Sequence, residues 1–572
     1  MFLGIELCLV AILLALAYTR PPLGDLFFSS FETRFARFAK HTNYSVLAVG
    51  LIALALRAAL LPILPIPAPD IHDEFSHLLL ADTLAHGRLA NPTHPMWIHF
   101  ETFHVNWHPT YASMYCPGHA FFLALGQVIM GHPFWGVWLS SGLMCAAICW
   151  ALQGWMAPQW ALLGGLLAVV RLGSFSYWAD SYWGGTVTAL AGALVLGAFP
   201  RVRQTQKIWD AVILGAGMAL LALTRPYEGL FLCVPIVVFL LVWARRKGIP
   251  RFKTLLVRIG LPATLTLAIG LAWLAYYFWR VTGSPFTSPY QINIRTYGLI
   301  YFPWQHFKQV APFHHLMMQL FYRDISLPTA YNYARQHPFK LQGLKILVIW
   351  LFFFGPLLTM PWLAWIFTRP RKQFWSSINP DLRLSLVLCV CAYASLMLTI
   401  YVGQPHYAAP FTAVFYLATV LVLRELWLSS AGRWLVRSML PTAVALFVLV
   451  MVAYALHAGP SPSWIRIWCT PPWQNLRRAQ ILNDLRHTPG DHLVIVRYRP
   501  DHDFAYDEWV FNRADINGSK VIWARDMGSQ NAELINYFGA RKVWLVEPDR
   551  KPVMLVPYPS ERSGPLSYST GH

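Results

Sequence analysis

GHAFFLALGQVIMG, residues 118–131, is largely apolar but only 14 residues long, whereas a helix that crosses a bilayer needs about 20. It reads as an interfacial or re-entrant helix inside an external loop. The topology hangs on that reading, because counting the segment as a span inverts everything after it. Arg201, Arg203, Lys207 and the cluster Arg245, Arg246, Lys247, Arg251 and Lys253 would then face outward. Kept in the loop, the segment leaves all of them inside with Arg369, Arg371, Lys372, Arg433 and Arg437, as the excess of Lys and Arg in cytoplasmic loops requires.

Apolar runs on either side give spans near residues 2–18, 44–66, 133–152, 160–178, 184–199, 210–223, 229–243, 259–279, 344–367, 384–402, 409–427 and 439–457, twelve in all. The first begins with Glu6 and no basic residue, while Arg20, Arg34, Arg37 and Lys40 follow it. It therefore reads as a retained helix running inward rather than a cleaved signal peptide. Residues 67–117 are then external and hold Asp70, Asp73, Glu74, Asp82 and Glu101 against Arg88. SYWADSYWGG (176–185), TRPYEGL (224–230), GQPHYAAP (403–410), the loop 280–343 and the tail from 458 share that face.

The composition agrees. Of 572 residues 56% are hydrophobic and 12% charged, against roughly 25% charged in soluble proteins, which excludes an ordinary soluble enzyme. The net charge of +19 divides into +17 before residue 460 and +2 after it. The positive excess lies between apolar runs and reports orientation, not a nucleic-acid partner. Six cysteines lie in apolar stretches and none has the spacing of a closed zinc site. A disulfide between Cys116 and Cys469, both external, stays open.

The tail changes character. A polar helix (473–487), LVIVRY (493–498), VIWA (521–524), an amphipathic helix (529–538), VWLV (543–546) and VMLV (553–556) alternate as in a small α/β domain. It carries no GxGxxG and no Walker A sequence, so nucleotide binding has no support. The expected architecture is an α-helical polytopic membrane protein with external juxtamembrane helices and this α/β domain. Residues 1–43 supply the first helix and a cytoplasmic loop, 44–457 the transmembrane domain with external loops 67–132 and 280–343, and 458–572 the external domain.

The chemistry concentrates in PDIHDEFSHLLLADTLAHGRLANP, residues 69–92, where apolar residues recur at helical spacing from Phe75. Asp73 and Glu74 then stand in the first turn of a helix at the water boundary. Helix capping is one reading of the pair; a general base, with its pKa raised by burial or a like-charged neighbour, is the other. His72 and His77 are five residues apart, about 140° around a helix, so they cannot act as the two histidines of HExxH. Asp73 and His77, at i and i+4, can share a hydrogen-bond network. Asp180, between Tyr177-Trp178 and Tyr182-Trp183, is either a solvated acid in an aromatic belt or a second functional acid.

Arg225 and Glu228 occupy a turn between short spans, which sinks the turn into the protein, where they pair with each other or line a cavity. The loop 280–343 mixes Arg295 and Lys308 with tyrosines, fit either for a phosphate and a sugar or for an interfacial anchor. The candidate substrate contacts are His77, Arg88, Arg225, Glu228, Arg295, Lys308, His406 and Tyr407.

Asp73-Glu74 in the first external loop, LLLADTLAHGRLANP, YCPGHAFFLALGQVIMG and Asp180 one span pair later resemble the polytopic glycosyltransferases of the GT-C class. That class includes protein O-mannosyltransferases, aminoarabinose transferases and oligosaccharyltransferases. The resemblance covers residues 44–280. Tyr115-Cys116-Pro117 stands where some relatives have YPKPP, and the acceptor-recognition WWD motif of oligosaccharyltransferases is missing, which argues against N-linked transfer to protein. The resemblance implies a polyprenyl-phosphate sugar donor and an envelope glycan, lipid or protein acceptor at the outer face of a bacterial inner membrane. It also implies inversion at the anomeric carbon, Asp73 as base, and Glu74 and Asp180 orienting the acceptor or a metal. Arg225 and Arg295 are the phosphate candidates. Metal use varies within the class, so Mg or Mn held by Asp73 and Asp180 remains open. The competing readings are a flippase or transporter for a lipid-linked or anionic substrate, which also needs a cavity, cations and acids but predicts functional charges in mid-membrane, and a non-catalytic envelope assembly subunit. Arg171, inside a span, has no explanation in the sequence.

Overall fold

A computed structural model describes residues 2–19, 25–245, 252–308, 310–368, 378–503 and 507–558. The deciding segment forms the 13-residue helix Gly118–Met130 and folds straight back on Phe134–Gln153. The return is tight because two glycines let the backbones touch: a Cβ on Gly126 would lie 2.2 Å from the Gly136 nitrogen, and one on Gly136 would lie 1.9 Å from the Phe122 carbonyl oxygen.

Each of the twelve expected spans coincides with a helix, but among the described residues nine are long and apolar enough to cross a membrane. The other three are Pro158–Gly173, Ile208–Thr224 and Thr186–Thr205. Thr186–Thr205 is built from Ala, Gly, Val and Leu and is buried almost all round as far as Pro200. It is an inner helix of the bundle, which explains why its composition is less lipid-like than that of its neighbours. Several ends also shift: the second span stops at Ala59, the fourth at Gly173 and the tenth at Met397. Arg20, Arg246, Lys247, Arg251, Arg369, Arg371 and Lys372 lie outside the described residues.

Arg171, the charge that the sequence leaves unexplained inside a span, has a structural partner. It sits in the π-helical turn Val169–Gly173, and its Nη1 lies 2.9 Å from Glu6 Oε1. Glu6 also accepts from the Leu357 N–H (3.1 Å) and the Trp468 indole (3.2 Å), while Arg171 donates to the Phe354 carbonyl (2.9 Å). The first helix is thus stapled to three other parts of the chain. Gly355 permits the approach, with φ of +55° and room for no Cβ beyond 2.8 Å from Arg171 Nη2. Gly355→Ala is expected to cost about 1–3 kcal/mol, read as a lowered thermal midpoint in detergent; an unchanged midpoint would show that the staple tolerates displacement.

In the tail, His492–Val496 lies between Val521–Arg525 and Lys542–Val546, parallel to both, and Leu555–Pro557 adds an antiparallel edge. Side chains alternate across this sheet. Val494, Val496 and Trp523 pack on Ile481 and Leu485 of the helix Leu476–His487. Leu493, Ile522 and Ala524 pack on Leu79, Phe100, Val105, Trp107 and Tyr111 of the loop 67–132. The tail is therefore grown into that loop through a shared apolar core. Cys116 and Cys469 are both buried free thiols.

Candidate active site

The helix His72–Ala85 starts after an extended Ile71 and carries both acids in its first turn. Glu74, and not Asp73, satisfies the helix start. Its Oε2 accepts the N–H groups of Asp70 (3.1 Å) and Ile71 (3.3 Å), and its Oε1 accepts the Tyr182 N–H (2.9 Å). Burial pushes Glu74 up to about 7 against the pull of these three donors. It fastens the segment carrying Asp180 to the acid helix, with both oxygens engaged and the side chain buried.

Asp73 faces a different space, about 100° further round the helix. Its Oδ1 accepts the Tyr115 hydroxyl proton and lies 3.7 Å from His104 Nδ1, and its Oδ2 lies 3.6 Å from His72 Nε2. The side chain keeps 17% of its exposure, so it can be reached. Burial raises its pKa, but His72, His104 and the Tyr115 hydroxyl outweigh that and hold it below the usual carboxylate range. Burial pushes His104 down to about 3, leaving a neutral imidazole at neutral pH. Among the described residues His72, Asp73 and His104 form the one group whose ligand atoms lie within 4.8 Å of one another.

His104 has φ of 59°, a left-handed conformation that costs a residue with a Cβ about 1–2 kcal/mol. Its carbonyl is held by the Ser76 hydroxyl (2.7 Å) and the Met114 N–H (3.1 Å), and its own N–H points at the Tyr322 hydroxyl (3.4 Å). Strain kept in this way collects at functional sites. His77 does not touch Asp73 directly; it stacks on Tyr115 at 4.3 Å and meets His119 edge-on at 5.0 Å.

Asp180 is paired with a cation. Its Oδ1 lies 2.7 Å from Arg57 Nη2 in a fully buried pair, and Arg57 donates further to the carbonyls of Leu64 (3.1 Å) and Ala179 (3.4 Å). The ligand atoms that cluster among the described residues are those of His72, Asp73 and His104, a group that does not include Asp180. Arg57 was the missing signal: a lone cation inside an apolar span demands a partner.

Arg225 pairs with Glu228 at 3.2 Å and lies 4.7 Å from the centre of the Tyr407 ring. Its charge acts on His77 and His119, and His77 stacks on Tyr115, the residue bonded to Asp73. His406 bonds through Nδ1 to Tyr177 at 3.0 Å and packs on Trp183 at 4.9 Å. Three expected contacts are not brought here. Arg88 follows the far end of the acid helix, about 20 Å along its axis from Asp73. Arg295 and Lys308 point outward and are exposed, as an interfacial anchor requires and a buried phosphate site does not.

No family model matches the chain, and neither does any curated protein. Among solved structures, the archaeal oligosaccharyltransferase AglB from Archaeoglobus fulgidus, in complex with an inhibitory peptide and a dolichol-phosphate, superposes with a TM-score of 0.50 at 12% identity over 89% of this chain and 70% of that one. ArnT from Cupriavidus metallidurans bound to undecaprenyl phosphate matches at a TM-score of 0.47 and 12% identity over 88% of this chain and 92% of its own. The apo form of the Archaeoglobus oligosaccharyltransferase matches at 0.47 and 11%, and there this chain spans 62% of the other's length. The fold is that of the GT-C glycosyltransferases.

Proposed function

We propose that the chain is an inverting glycosyltransferase that moves a sugar from a polyprenyl-phosphate donor to an envelope acceptor on the outer face of a bacterial inner membrane. The observation that carries the reading is a reachable carboxylate, Asp73, between two imidazoles and bonded to Tyr115, at the loop end of a GT-C fold. Asp73 takes the proton of the acceptor hydroxyl or amine as that atom bonds to the anomeric carbon. The bond from that carbon to the phosphate oxygen breaks with its electron pair, and polyprenyl phosphate leaves. Arg225, held over Tyr407, stabilises the charge that gathers on the phosphate. Glu74 and the Arg57 and Asp180 pair keep the segment 174–185 in place.

His72, Asp73 and His104 also suit a divalent cation: two imidazoles and a carboxylate offer ligand atoms within 4.8 Å of one another. A donor set with two imidazoles favours a Mn- or Zn-like ion over Mg. Such an ion would supply positive charge near the departing phosphate.

The test is to incubate purified protein with radiolabelled polyprenyl-phosphate sugars and membrane acceptors. Label should pass to the acceptor with release of polyprenyl phosphate; free passage of intact labelled lipid across proteoliposomes, with no transfer, would favour the flippase instead. Chelation should lower transfer and Mn or Zn should restore it, whereas in His104→Ala the added ion should restore nothing. Transfer indifferent to chelators would remove the metal and leave Asp73 acting alone.

A further inference from the structure

We propose that Arg525 and Glu508, both in the tail, are positioning residues for the His72, Asp73 and His104 group, a proposal that rests on reading that group as the reaction site. Arg525 ends the strand Val521–Arg525, and its Nη2 lies 3.0 Å from Glu508 Oε2 in a buried pair. Its Nε donates to the Glu101 carbonyl at 2.6 Å and its Nη2 reaches Thr102 Oγ1 at 3.5 Å. The chain is thereby gripped at the Glu101 carbonyl and the Thr102 hydroxyl, three and two residues before His104. The guanidinium also sits 5.7 Å from the Phe103 ring, and Phe103 packs at 5.3 Å against the His72 ring. One cation backs both imidazoles.

Glu508 acts on the other ligand-bearing segment. Its N–H donates to the Asp70 carbonyl at 3.3 Å, two residues before His72. Its Oε1 accepts the Tyr498 hydroxyl (2.8 Å) and the Val510 N–H (2.7 Å), so the pair cannot swing away.

Stability alone does not call for such a pair, because apolar side chains of similar volume commonly hold a core as well or better. Geometry does. His104 carries a left-handed φ of 59°, and a strained residue keeps its conformation only where its neighbours over-determine it. Arg525 fixes the chain leading into that residue, and no apolar side chain can bond a carbonyl.

The experiment uses the full-length protein in nanodiscs, with Arg525→Met/Glu508→Leu, which removes both charges together, and Arg525→Lys, which keeps one donor. In the double variant, amide hydrogen exchange at residues 102–104 should rise at least tenfold, while exchange at 512–514, where the tail grips Asp82, stays as in the unaltered protein. Its kcat for sugar transfer should fall at least tenfold with the donor KM within twofold, and Arg525→Lys should recover most of both losses. Unaltered exchange at 102–104 in the double variant would overturn the proposal. So would a uniform rise across the tail, which would mean that the domain had simply come loose. If the unaltered protein transfers no sugar, the glycosyltransferase reading fails and the exchange measurement still decides this one.

Discussion

Asp73→Asn is expected to lower sugar transfer roughly 10²–10⁴-fold, the usual contribution of a general base, while the variant folds and binds donor as before. The expectation follows from what the neighbouring acids already do. Glu74 spends both oxygens on backbone N–H groups, and Asp180 is committed to Arg57 at 2.7 Å. Asp73 alone of the three keeps a reachable oxygen, and asparagine keeps its shape. It can still accept the Tyr115 hydroxyl, so the loop should hold, but it can neither take a proton nor hold a cation as a carboxylate does. The measurement is a single-turnover assay beside donor binding and a melting curve. Transfer within threefold of the unaltered rate would take the base away from Asp73 and leave the site without one.

Asp180→Ala should act in another way, through stability. It would strand Arg57 in a fully buried position, and breaking a buried pair from one side costs about 3–5 kcal/mol. The variant should give little monodisperse protein and a strongly lowered thermal midpoint. Arg57→Met/Asp180→Leu removes both charges and should recover most of that midpoint, with transfer within a few-fold of the unaltered enzyme. A double variant that is stable yet inactive would return Asp180 to the chemistry. The two predictions together separate a residue that reacts from one that holds.

What could be read in the sequence was what short-range pattern encodes. The 13-residue helix Gly118–Met130 was legible from its length. The strands His492–Val496, Val521–Arg525 and Lys542–Val546 were legible as β-branched and aromatic runs between turns. Asp73 was legible because charge is scarce in an apolar chain. Partnerships between distant segments were not. Arg57 and Asp180 are 123 positions apart, and Glu6 and Arg171 are 165 apart. His104 reaches Asp73 only because a short irregular loop takes a left-handed turn that no local pattern announces. Arg88, Arg295 and Lys308 were drawn in by charge and face alone, which say nothing of distance.

The seam between tail and loop also bears on how the protein is made. The tail follows every span in the chain, and synthesis runs from the N-terminal end. Leu79, Phe100, Val105, Trp107 and Tyr111 therefore wait without their cover while all the later helices enter the bilayer, until Leu493, Ile522 and Leu534 arrive. A chain not yet made as far as Arg525 lacks the bonds that this residue makes to the Glu101 carbonyl and the Thr102 hydroxyl. One stalled or clipped before Arg525 leaves that apolar face of the loop without the tail residues that cover it.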